Sequence, residues 1–310
     1  MFEGPHRNSP RNVPDKGERC SPIESIPVWD IPPLPKALPQ AVSPLIIEHT
    51  DESRGVWRIS SDECRWRRDD IWTPRFQVGC LDLGDLPLDR HPDARLLRAA
   101  IADQLYLRVA SSLGEVPQQG AIALRQLHEI KHRLSMSETV VESIRVKIER
   151  LRRALTELTG ARAIQINIVS ERGPRRLELE PGGGVSTFHT DASGIRIVAP
   201  LLGPQTLFLL ADQSANASAP LGLSPTNLSG PMEAGFDFDA AIRANFESLI
   251  GSSRDGSDRS IYRAQDGCGI IFVGTGAIIG RPLTHAAPQP RDAAEALAWG
   301  RLFVTLDARH

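Results

Sequence analysis

No stretch of this sequence approaches the roughly 18 uninterrupted apolar residues that a membrane span requires, so no membrane partner is expected. The N-terminus, Met1-Phe2-Glu3-Gly4-Pro5-His6-Arg7, has no apolar leader core. That predicts a protein that is not exported, and a cytoplasmic location. No cysteine pair has metal-site spacing. Cys20, Cys64, Cys80 and Cys268 are far apart and, in a reducing compartment, read as free thiols instead of a zinc site or a disulfide framework. The sequons at Asn216 and Asn227 then carry no sugar, since glycosylation needs export. No charge dominates either: 36 Lys and Arg face 38 Asp and Glu, a formal net charge of −2. No overall field therefore draws the chain to nucleic acid or an anionic membrane. The one basic cluster, Arg65-Trp66-Arg67-Arg68, runs straight into Asp69-Asp70 and reads as a solvated loop or helix end. Serine nucleophile elbows, Walker loops and paired-carboxylate motifs are all missing.

What is present suffices for at least one full core: 310 residues, 41% hydrophobic and 24% charged. Residues 1–45 are rich in proline, serine and charge, with Ile31-Pro32-Pro33-Leu34-Pro35 followed by Leu38-Pro39. Proline fixes φ and lacks a backbone donor, so a disordered or extended arm is expected there. Residues 46–160 are expected to be a helical region. One helix is predicted over 93–113, before Gly114 and Pro117 break the pattern. Leu127, Ile130, Leu134, Val141, Ile144, Ile148, Leu151, Leu155 and Leu158 then recur on three- and four-residue steps, with Ser137 filling the one gap. This heptad-like stripe ends at Gly160, as a helix C-terminus does. Ser135, with Glu138 three residues on, has the form of a capping box that splits the stripe into two helices. The stripe over 127–158 either packs on the β-rich remainder of the chain or forms a homodimer seam.

After Gly160 the period becomes two. Ala163–Val169 alternates, Arg176–Glu180 alternates again, and short apolar segments follow at Gly194–Leu201, Thr206–Leu210, Gly269–Val273 and Arg301–Leu306. Many short strands with Gly, Pro or Asp between them predict an α+β chain whose residues 161–310 form a sandwich or barrel. Residues 212–260, rich in Ser, Ala, Pro and Gly with one short helix expected over Asp239–Ile250, read as an insertion between strands that serves as a lid.

The leading candidate for chemistry is Phe188-His189-Thr190-Asp191, with His285 far downstream. Residues i and i+2 of an extended segment share a face, so His189 and Asp191 can reach one ion together. A distant histidine from another strand, His285, completes two imidazoles and a carboxylate. That set suits non-haem Fe(II), because it leaves positions open for O2 and a co-substrate. Two other patterns compete. His128-Glu129-Ile130-Lys131-His132 matches the His-Glu-x-x-His form of zinc proteases, but Arg125, Lys131 and Arg133 make its surroundings basic, so it reads as a solvated helix face. Gly274-Thr275-Gly276 after Ile270–Val273 mimics a dinucleotide-binding turn, yet Pro282 leaves no room for the helix such a fold needs, and it reads as a plain turn.

The Phe188–Asp191 segment, Gly194-Ile195-Arg196-Ile197, Leu202-Gly203-Pro204-Gln205-Thr206, His285-Ala286-Ala287-Pro288 and Arg301–Asp307 together resemble an uncharacterised bacterial family. That family in turn resembles the double-stranded β-helix oxygenases that use Fe(II) and 2-oxoglutarate. The resemblance implies a jelly-roll fold over roughly 163–307, with His189, Asp191 and His285 as iron ligands. It also implies an arginine on the last strand, matching Arg301, for the far carboxylate of 2-oxoglutarate. Arg196 and Arg291 are rivals for that role, and a strand-end surface salt bridge is the plainer reading of Arg301. The expectation is an Fe(II)-dependent oxygenase that couples 2-oxoglutarate decarboxylation to oxidation of a small-molecule or peptide substrate. A cupin-like oxygenase without 2-oxoglutarate and a non-enzymatic dimeric ligand-binding protein are the alternatives.

Overall fold

The computed structural model describes residues 45–60, 72–82, 88–103, 106–110, 114–115, 125, 127–171, 189–191, 193–210, 261–288 and 300–309. The arm over 1–44, the insertion over 212–260 and Arg291 lie outside them. The strands in chain order are β1 (Leu45–Ile47), β2 (Val56–Ser60), β3 (Val78–Asp82), β4 (Tyr106–Ala110), β5 (Gly114–Glu115), β6 (Ala163–Glu171) and β7 (His189–Thr190), followed by β8 (Ile195–Leu202), β9 (Leu207–Leu209), β10 (Ile261–Ala264), β11 (Cys268–Val273), β12 (Thr284–Ala286) and β13 (Arg301–Arg309). The helices are α1 (Ala94–Asp103) and α2 (Glu138–Thr159), with a further helical segment over 127–134.

From β6 onward the chain crosses between two sheets in jelly-roll order. The larger sheet contains β6-β13-β8-β11 and the smaller β7-β12-β9-β10, with neighbours antiparallel throughout. The larger sheet is extended by β4 and β5 beside β6, and by β3 and β2 beyond β11; β1 adds to β10 in parallel. Alternation then sorts the side chains. On β13, Leu302, Val304, Leu306 and Ala308 face the helices, while Phe303 faces the space between the sheets with Val169, Val198, Ile270, Phe272 and Phe208. The larger sheet is thus buried on both faces.

The stripe expected over 127–158 covers its outer face. Leu127, Ile130, Leu134, Val141, Ile144, Ile148, Leu151, Leu155 and Leu158 all join one core with Ile164, Ile166, Ile168, Ile197 and Leu306. Truncating any fully buried leucine of this layer is worth about 2–5 kcal/mol. The helix break differs in detail from the expected capping box. Ser137 is the N-cap of α2, its Oγ accepting from Val140 N–H, and Gly160 closes the helix at φ 65°. Ser135 takes φ 49° where the preceding helix ends, and Met136 N–H reaches back to the Lys131 carbonyl, so Ser135 is an exit residue and not a cap.

Residues 46–160 are not helical throughout. The helix expected over 93–113 stops at Asp103, and the chain continues as β4 against β6. Leu107 and Val109 alternate with Arg108 as readily as they fit a helical stripe, and the backbone groups along that edge of β6, which need partners, decide the matter. Cys80 and Cys268 are buried free thiols, as expected. None of the described helices is long and apolar enough to cross a membrane.

Candidate metal centre

His189 and His285 lie directly opposite each other on β7 and β12, with ring centroids 4.5 Å apart. Directly paired residues share a sheet face, which sends both imidazoles the same way. Asp191, two residues after His189, joins them. Its Oδ1 is 3.7 Å from His189 Nε2, its Oδ2 is 3.5 Å from His285 Nε2, and one donor atom from each residue lies within 4.8 Å of the others. Donors that are each about 2.1 Å from a single ion are roughly 3–4 Å apart, so these three can close on one cation.

His285 and Asp191 are each fixed from behind. His285 is buried, packs on Phe272 at 4.7 Å between ring centroids, and directs Nδ1 to the Leu283 carbonyl at 3.4 Å. A carbonyl can only accept, so this contact places the proton on Nδ1 and leaves the Nε2 lone pair toward Asp191. Burial lowers the His285 pKa to about 4, with His189 and Arg196 pushing the same way and Asp191 opposing, so the ring is neutral at pH 7. For Asp191, burial works to raise the carboxyl, but His285, Arg196 and His189 outweigh it and hold the group below the ordinary carboxylate range. Two neutral-capable imidazoles and an ionised carboxylate form a donor set that suits a divalent transition metal.

The turn after β11 holds the Asp191 backbone. Thr275 N–H donates to the Asp191 carbonyl at 2.8 Å, Gly274 N–H to the Gly194 carbonyl at 2.8 Å, and Gly276 N–H to the Ser193 carbonyl at 3.3 Å. A Cβ on Gly274 would sit 2.3 Å from the Ser193 oxygen and 2.5 Å from the Asp191 oxygen, so only glycine allows this approach. The sequence marks 274–276 as a turn; that the turn grips Asp191 carries no local signal.

The two arginines separate. Arg196 donates through Nη1 to Asp191 Oδ2 at 2.5 Å, and through Nε and Nη2 to Asp307 Oδ1 and Oδ2 at 2.6 and 3.1 Å. Arg301 is not at the surface. It is 2% exposed and pairs through Nη1 with Glu171 at 3.1 Å and through Nη2 with Thr206 Oγ1 at 2.7 Å, with its guanidinium 4.3 Å from the Phe303 ring centroid. Its buried Nε has no partner among the described residues. Thr206 immediately precedes β9, whose Phe208 lies opposite His285, so this guanidinium sits inside the roll on the histidine side. Gly203, at φ 86°, lets the chain pass the Gly300 carbonyl beside it, where a Cβ would meet that oxygen at 2.5 Å. His128 and His132, by contrast, are exposed on the 127–134 helical segment, and the described residues gather no third donor around them.

No family model matches the chain, and no curated protein matches it. Among solved structures it is similar to a Pseudomonas putida prolyl-4-hydroxylase at 12% identity and TM-score 0.27, covering 71% of this chain and 100% of the other. It is also similar to a full-length Neurospora crassa protein in complex with alpha-KG, at 10% identity and TM-score 0.35, covering 81% and 84%. A bsmA homologue from Methylobium petroleophilum matches at 11% identity and TM-score 0.34, covering 87% and 97%. These likenesses are remote.

Proposed function

We propose that this protein is an Fe(II)-dependent oxygenase that uses 2-oxoglutarate to oxidise a small-molecule or peptide substrate. The observation that carries this reading is the convergence of His189, Asp191 and His285, on jelly-roll strands, within 4.8 Å. Iron held there supplies the activation of O2. The chain's own residues bind and orient. His285 presents Nε2 because its Nδ1 is committed to Leu283, and Asp191 is gripped by Thr275 and Arg196. Arg301 is the anchor for the far carboxylate of 2-oxoglutarate. It is buried, inside the roll, and its Nε has no partner among the described residues, the kind of donor a planar carboxylate satisfies. Arg196 has a nitrogen on each branch of its fork engaged by carboxylates and is the poorer candidate.

Glu171 favours a second reading. Its buried carboxylate already offsets the Arg301 charge, which weakens the pull on a dianionic co-substrate and suits a cupin-like oxygenase that needs none. The two readings part in one experiment. Protein loaded anaerobically with Fe(II) is titrated with 2-oxoglutarate by calorimetry, then exposed to O2 and assayed for succinate. Binding and slow succinate release are expected. Arg301→Lys, which keeps the charge beside Glu171 but loses the fork, lowers 2-oxoglutarate affinity about tenfold or more while iron affinity holds. Stoichiometric iron without 2-oxoglutarate binding hands the site to the cupin-like reading, and absence of iron binding rejects both.

A further inference from the structure

We propose that Asp307 and Arg196 are a positioning pair that reserves one oxygen of Asp191 and leaves the other for the metal, an inference that rests on the metal-site reading above. Asp191 has two oxygens and three groups around it. Oδ2 accepts from Arg196 Nη1 at 2.5 Å and lies 3.5 Å from His285 Nε2, whereas Oδ1 faces His189 Nε2 at 3.7 Å without a bond to it. The Arg196 bond takes one lone pair of Oδ2 and biases the carboxylate toward ligation through Oδ1, and a one-oxygen ligand keeps an extra position open on the ion.

Arg196 alone would hold that oxygen loosely, because its side chain is long and rotamer-rich. Asp307 removes the freedom. It lies opposite Arg196 in the β8–β13 register, is 3% exposed at its side chain, and takes Nε and Nη2 of the guanidinium on its two oxygens at 2.6 and 3.1 Å. The fork-to-fork contact fixes the guanidinium plane, and the remaining Nη1 then points to Asp191. The backbone clamp from Thr275 and Gly274 sets where Asp191 starts, so the pair has only its side-chain torsions to set.

Charge gives the pair a second task. A guanidinium in contact with a ligand carboxylate withdraws electron density from it and repels a dication. Asp307 places a compensating negative charge on the far side of Arg196, so Asp191 remains an effective donor while still being held. The order Asp307, Arg196, Asp191 is minus, plus, minus, followed by the cation. Removing Asp307 therefore weakens metal binding although Asp307 touches no metal.

The probe is Co(II), added to the full chain under reducing conditions. Calorimetry reads its affinity, the visible ligand-field band reads its coordination, and the melting of the metal-free protein reads the fold. Wild type binds one Co(II) per chain. Asp307→Asn and Arg196→Lys keep that stoichiometry, lose about 10- to 100-fold in affinity, and shift the band; Asp307→Glu recovers part of both. Variants that melt earlier but bind Co(II) with wild-type affinity and an unchanged band assign the pair a structural role only and overturn the proposal. If Asp307→Asn does not fold, Arg196→Lys, which retains the charge beside Asp307, decides by the same readouts. Wild type that binds no Co(II) overturns the metal-site reading and this inference together, which separates that failure from failure of the pair alone.

Discussion

Arg301 and Glu171 face each other across β13 and β6 as an ion pair 3.1 Å apart, with 2% and 0% of their side chains exposed. Truncating one partner leaves the other charged and dry. Arg301→Ala is therefore expected to destabilise the fold by about 3–5 kcal/mol, much more than a surface pair would lose. Urea unfolding checks it, and a loss below about 1 kcal/mol would show that water reaches the pair.

Ile148 is buried in the layer between α2 and the larger sheet. Ile148→Asp places an unpaired charge there and should cost several kcal/mol. Thermal melting is the measurement. A variant that keeps its melting temperature but turns a dimer into a monomer would move this residue to a subunit seam.

Gly274→Ala should act on the site more than on the fold. Its new Cβ meets the carbonyls of Asp191 and Ser193, so the 191–194 loop must give way. Metal affinity is expected to fall at least tenfold, as when the support of a ligand is removed. Unchanged affinity would mean that the loop adjusts without moving the carboxylate.

Burial pushes the Cys80 thiol up to about 12 and the Cys268 thiol up to about 11. Both are neutral in the folded chain at pH 8 and should resist alkylation until it unfolds, which peptide mass spectrometry can score residue by residue. The unfolded thiols ionise near pH 8.5. Between about pH 9 and 11 the folded state holds protons the unfolded state has lost, so these residues make stability fall as pH rises. Faster labelling of Cys80 than of an unfolded control peptide would contradict this.

How much of this was legible depended on length of pattern. β6 alternates, and β8, β11 and β13 carry apolar runs long enough to stand out between Gly, Pro or Asp, and each starts within a residue or two of its expected position. β7 and β12, at two and three residues, are too short to have a period at all, although they hold the two histidines. The His-x-Asp spacing marks His189, and only its residue type and its place before the last strand mark His285. The Arg196–Asp307 contact spans 111 residues, and the Arg301–Glu171 contact spans 130. Neither has a local signature; each follows from strand register, which the sequence does not display until the sheet is assembled.

β13 pairs along its length with both β6 and β8. It is the keystone of the larger sheet: until it docks, two strands present open edges, and the residues it contacts, such as Asn167 and Arg196, lie more than a hundred positions back along the chain. Such long loops close slowly, so folding is expected on the millisecond-to-second scale, as stopped-flow refolding can check. Arg301 and Asp307 ride on the same strand. A chain that has not yet inserted β13 lacks both the buried guanidinium of Arg301 and the Asp307 carboxylate that pairs with Arg196, so a single strand carries two buried charges whose partners lie on different neighbours, β6 and β8.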